Sequence, residues 1–157
     1  MTNMIPAART QLPETAPRPF AAMARLEGSI ELDPHLRDLV SLRASQLNGC
    51  AFCIDMHWKD AIARGEDAHR LYMLDAWRES PFYSDREQAA LDLCEAMTLI
   101  HAGHVPDDVW DRARAAFPGA ELAQLVFQIT AINAWNRLMI TSRTEPGHYE
   151  SRVREAA

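Results

Sequence analysis

Apolar residues in this chain recur three and four positions apart, between residues that start and stop helices, and no window holds the sustained alternation of a half-buried strand. That pattern restricts the chain to an all-α fold. The clearest start is Asp33-Pro34, because an Asp side chain accepts the unpaired N–H groups of a first turn and proline fits the first helical position. A helix is predicted from there to about Leu47. Asn48-Gly49 then breaks it, since both residues tolerate left-handed backbone, and a second helix is predicted from near Cys50 to a stop at Gly65.

Further along, Leu71, Leu74 and Trp77 form one stripe within residues 66–77, and Ser80-Pro81 closes that segment. Ser84 and Glu87 are spaced as a capping box ahead of a helix carrying Ala90, Leu91, Cys94, Met97 and Ile100. Another helix starts at Pro106, with Asp107 and Asp108 favourably placed in its first turn, and ends at Pro118-Gly119. The last helix, residues 120–141, carries Leu122, Leu125, Val126, Ile129, Ile132 and Leu138 and is too apolar for a freely solvated surface helix. Before all of these, Met23, Leu26 and Ile30 mark a short helix from Phe20. Pro6, Pro13, Pro17 and Pro19 make the first nineteen residues read as an extended arm over the core or a neighbouring subunit. The expected organisation is an arm over 1–19, one helical bundle over 20–143 and a tail over 144–157.

A chain of 157 residues is long enough to bury a core without covalent staples. Its net charge of −6 would repel phosphate backbones and anionic headgroups, so no nucleic-acid or membrane partner is expected. The first twenty residues lack the apolar stretch of a secretory signal and no window is long enough to span a bilayer, which makes a cytoplasmic protein the expectation. In a reducing compartment three cysteines do not build a disulfide framework, and a close pair is instead catalytic or metal-binding.

That pair is Cys50-Ala51-Phe52-Cys53, at the predicted start of a helix, with His57 one turn further on the same face. Side chains three apart on a helix have Cβ atoms about 5–6 Å apart, closable to a disulfide by local adjustment at a helix end. A thiol attacks as its thiolate. The free N–H groups of the helix start, the second cysteine and His57 as proton acceptor all favour that form, with Cys53 the better-placed nucleophile. Cys50 then condenses with an oxidised Cys53 as the resolving thiol. The competing zinc reading lacks a second C-x-x-C and would need His101 or His104 as a fourth ligand, so no metal is expected. Cys94, amid apolar neighbours, reads as core.

Residues 36–61, LRDLVSLRASQLNGCAFCIDMHWKDA, closely resemble the core motif of the carboxymuconolactone decarboxylase superfamily in its alkylhydroperoxidase D (AhpD)-like branch. The match rests on Ser45, Gln46, Asn48, Gly49, Cys50, Cys53, His57 and the acidic Asp38, and the likeness extends over roughly 20–143. The resemblance implies an all-helical fold assembled into a homotrimer or homohexamer. It also implies peroxide reduction at the cysteine pair, and an external dithiol reductant such as a lipoylated protein, with no bound cofactor. It further implies that Asp38 belongs to the proton relay. Two positions depart from the pattern: Asp38 stands where Glu is usual, and Phe52 stands where the best-known members have histidine. Beside the peroxidase, two other functions fit the same motif, a general thiol-disulfide oxidoreductase and a redox-responsive binding or assembly protein.

Overall fold

The computed structural model describes residues 7–153, and within them every regular element is helical. Eight α-helices follow in chain order: α1 Leu12–Thr15, α2 Pro17–Gly28, α3 Pro34–Asn48, α4 Ala51–Ala63, α5 Ala68–Met73, α6 Asp85–Thr98, α7 Asp107–Ala116 and α8 Ala120–Ser142, with single 3-10 turns at Leu74–Glu79 and Ile100–Ala102. Their boundaries are written in the local chemistry anticipated above. The Asp33 carboxylate accepts from the Leu36 N–H, and Ser84 with Glu87 closes a reciprocal capping box at α6.

Helix α3 is the axis of the bundle, packed against α4, α6 and α8. Leu36, Val40 and Ala44 meet Leu93 and Cys94 of α6 and Leu125, Ile129 and Ile132 of α8 in one core, while Leu39 and Leu42 join a second with Leu71, Leu74, Trp77 and Leu91. Because α3 is covered on several sides, its polar residues are buried too and must find partners. The Ser45 hydroxyl donates to the Ser41 carbonyl and receives the Asn136 amide at 3.0 Å, and Gln128 donates to Ser41. At the helix end the Asn48 amide donates to both Asn133 and Asn136 of α8, at 3.0 and 2.8 Å. This ladder fixes the position of the Asn48-Gly49 corner relative to α8.

Two sequence expectations give way. The arm is not extended: α1 lies inside it and α2 begins at Pro17, three residues ahead of the expected Phe20. Proline is excluded from helix interiors by its missing N–H, but in a first turn that N–H has no partner to lose, and Pro13 and Pro17 both stand there. The arm lies over the core of its own chain, with the Arg9 N–H donating to the Ser142 carbonyl and Phe20 edge-on to Trp135 at 5.1 Å. Pro6 lies outside the described residues. Secondly, the stripe over 66–77 is one apolar face but not one helix: α5 passes at Leu74 into a 3-10 turn kinked at Ala76.

The segment after Arg143 returns over α4. Lys59 donates to the carbonyls of Gly147 and Tyr149, the Gly147 N–H donates to Asp55, and the Tyr149 hydroxyl and Ser151 hydroxyl both donate to Asp60. Residues 154–157 of the tail lie outside the described residues. Among those described, no helix is long and apolar enough to cross a membrane.

Candidate active site

The site is built at the corner between α3 and α4. Gly49 takes the left-handed conformation, φ +70°, that a side chain would strain, and the Cys50 N–H turns back to donate to the Ser45 carbonyl. This places Cys50 as the N-cap of α4, where its Sγ accepts from the Cys53 N–H at 3.4 Å. Cys50 and Cys53 are joined as a disulfide with Cα atoms 5.4 Å apart, and each is only 1% exposed. A sulfur that receives a helix-start N–H is stabilised as an anion, so Cys50 is a favourable leaving thiolate when the bond is reduced.

One turn on, His57 is buried and its Nε2 has no hydrogen-bond partner among the described residues. Burial drives its pKa down to about 4; Asp60 pulls the other way, and Arg37 and Arg64 add to the depression. That shift favours the neutral imidazole at physiological pH. Asp38 is also buried, with its carboxylate accepting from Arg64 Nε at 2.7 Å, just past the end of α4. Desolvation raises the Asp38 pKa and the Arg64 guanidinium offsets part of that rise. The fold thus gathers Cys50, Cys53 and His57 on α4. It gives the expected relay acid Asp38 a definite partner, Arg64, and no hydrogen bond joins Asp38 to His57 among the described residues.

Beside the disulfide lies a cavity of about 370 Å³, within the roughly 300–1,000 Å³ range of small-molecule sites. Cys53 lines it and Cys50 does not. Phe52, Met56, Phe20, Trp135 and Met139 make most of its wall apolar. The aromatic ring of Phe52, in the place where the resemblance leads one to look for histidine, is therefore a wall of this cavity. Glu27 of α2 and Tyr149 of the returning tail contribute its ionisable groups beside Cys53. Sequence reasoning passed over both. Glu27 carried a legible signal, for it stands four residues after Met23 on the helix face that begins at Phe20. Tyr149 carried none, because only the tail's return over α4 brings it in. Burial and its bond to Asp60 push the Tyr149 phenol up to about 12.

Among the described residues no three His, Cys, Asp or Glu side chains gather as a metal-ligand set, and His101 and His104 are exposed. Cys94 is a core residue: its thiol donates to the Val40 carbonyl, and burial pushes its pKa up to about 12.

Residues 17–96 match the model of the carboxymuconolactone decarboxylase family. The chain is 49% identical over 104 residues to the uncharacterized protein YdfG of Bacillus subtilis, covering 66% of this chain and 71% of that one. It is 34% identical over 101 residues to the uncharacterized protein YnjA of Escherichia coli, covering 64% of this chain and 53% of that one. Its fold is similar to a crystal structure from Agrobacterium tumefaciens, a protein of unknown function described as a candidate antioxidant defence protein AhpD. That likeness has a TM-score of 0.87 at 34% identity and covers 91% of this chain and all of the other. With the sequence matching across the corner that carries its cysteine pair and the whole bundle superposing, this chain belongs to the carboxymuconolactone decarboxylase family, in its AhpD-like superfamily.

Proposed function

We propose that this protein is a thiol-dependent peroxidase that reduces organic hydroperoxides or hydrogen peroxide through Cys53 and Cys50. The observation that carries this reading is a buried C-x-x-C disulfide whose second cysteine opens onto an apolar cavity one turn from a neutral histidine. In the reduced protein, Cys53 gives its proton to His57 and its sulfur attacks the terminal peroxide oxygen. The O–O bond breaks, an alcohol or water leaves, and Cys53 is left as a sulfenic acid. Cys50 attacks that sulfur, expelling water and closing the disulfide. An external dithiol, such as a lipoylated protein, then attacks Cys53 at the cavity and releases Cys50 as the thiolate. Two electrons pass from the dithiol to the peroxide in each cycle. Asp38 is bonded to Arg64 and not to His57 among the described residues, so the first transfer is written between Cys53 and His57 alone.

A general disulfide oxidoreductase would use the same pair, but with each sulfur only 1% exposed the pair is reached by a small molecule or a slender arm such as a lipoyl group, not by a disulfide held on a protein surface. The test is a thiol count on reduced, then denatured protein. One equivalent of tert-butyl hydroperoxide is expected to lower the three cysteine thiols to one, Cys94, with release of one equivalent of tert-butanol. Three thiols remaining after the addition would end the peroxidase reading.

We further propose a cytoplasmic homotrimer or homohexamer, the assembly being the one that the family resemblance implies. In its support, Phe127 and Ile140 of α8 are 54% and 44% exposed and Ile100 is 50% exposed, which leaves apolar surface for a second copy to cover. Sedimentation velocity is expected to show a species well above 17.7 kDa at micromolar concentration, and a monomer there would remove the assembly.

A further inference from the structure

Breaking an O–O bond leaves an alkoxide, a strongly basic leaving group that needs a proton as it departs. A positioned acid contributes about 10²–10⁴-fold to such steps. His57 holds the Cys53 proton when the O–O bond breaks, but it does not line the cavity in which the alkoxide is released. Asp38 is engaged by Arg64. Among the described residues Glu27 is the one carboxyl lining the Cys53 cavity, half-buried on α2 in an otherwise largely apolar wall.

We propose that Glu27 is the general acid of the peroxide step, donating its proton to the alkoxide oxygen as Cys53 breaks the O–O bond. The inference rests on the peroxidase reading and adds to it. The step balances: Cys53 thiol and hydroperoxide become sulfenic acid and alcohol. The thiol proton passes to His57 and the Glu27 proton to the alcohol. Loss of a proton from the imidazolium and uptake of one by the Glu27 carboxylate then restore both groups, with no net proton gained or lost. Closing the disulfide releases water and requires no further net proton.

The surroundings favour the acid form that this role requires. Desolvation raises the Glu27 pKa above the ordinary carboxyl value. The Trp135 indole on α8 lowers it, as does the charge of Arg37 on α3, and the Asp60 carboxylate on α4 raises it. Tyr149 of the tail, facing the same cavity, stays a neutral phenol. The Trp135 N–H is itself buried without a hydrogen bond of good geometry, so it is free to steady the carboxylate once the proton has left.

The leaving group decides the test. A peroxyacid expels a carboxylate, which needs no proton, whereas tert-butyl hydroperoxide expels an alkoxide, which does. In stopped-flow oxidation of the reduced full-length protein, Glu27→Gln is expected to slow tert-butyl hydroperoxide about 100-fold. Peracetic acid should stay within about threefold of wild type, and Glu27→Asp should recover part of the loss. The wild-type rate with the alkyl hydroperoxide is expected to fall at high pH as Glu27 ionises, and that limb should vanish in Glu27→Gln. Equal slowing with both oxidants would make Glu27 structural and overturn the proposal, as would a Glu27→Gln profile overlaying wild type. A wild type inert to both oxidants would instead overturn the peroxidase reading itself.

Discussion

Replacing Cys53 by serine is expected to abolish peroxide consumption, whereas Cys50→Ser is expected to react once and stop as a sulfenic acid. The asymmetry follows from which sulfur meets the cavity. Cys53 lines it, and Cys50 lies behind, as the N-cap of α4. Attack requires only the sulfur that a peroxide reaches, and resolution requires both. Serine at position 50 also keeps an oxygen able to accept the Cys53 N–H, so the helix start survives and the fold is not the variable. Mass spectrometry after one equivalent of peroxide should show a one-oxygen gain on Cys50→Ser, trapped by a sulfenic-acid reagent, and no gain on Cys53→Ser. The reverse pattern would exchange the two roles.

The second large effect is on stability and comes from His57. In the unfolded chain its imidazole takes a proton near the ordinary value of 6.5, and in the fold only near 4. Between those values the unfolded state binds a proton that the native state does not, so stability is lost as pH falls through that window, by about 1.4 kcal/mol per unit at most. Over the whole window the loss from this one group is about 3 kcal/mol, a large share of a domain's typical stability. Glu27 and Asp38, whose carboxyls are shifted up by burial, act in the opposite sense, and the clean reading is therefore a difference. Urea unfolding followed by circular dichroism at pH 6.5 and pH 5 should show wild type losing about 2 kcal/mol more than His57→Asn. Parallel losses in the two proteins would mean that His57 titrates normally in the fold.

The parts of this structure legible beforehand are those decided within a few residues of chain. Asp33 caps α3, Ser84 and Glu87 cap α6, and Asn48-Gly49 turns the corner because side-chain oxygens and left-handed backbone act locally. Cys50, Cys53 and His57 fall together for the same reason, all lying within two turns of one helix. What stayed hidden depends on contacts between distant residues. Arg64 claims Asp38 across 26 positions, a pairing that helical periodicity does not encode. The N-terminal prolines misled because proline ends a helix or begins one according to its place in the turn, and the capping residues Gln11 and Ala16 supply no side-chain bond to mark a start. Periodicity puts Glu27 on the inner face of α2, but only packing sets that face beside Phe52 and Trp135.

The cavity over Cys53 takes part of its wall from Thr10 to Pro13 at one end of the chain and from Thr144 and Tyr149 at the other. Neither stretch falls within residues 17–96, the span that matches the family model. In this chain the shape of the cavity is thereby set in part by segments far in sequence from the cysteine corner. Removing the residues up to Pro13, or those from Thr144 onward, is therefore expected to open the cavity beside Cys53 to solvent.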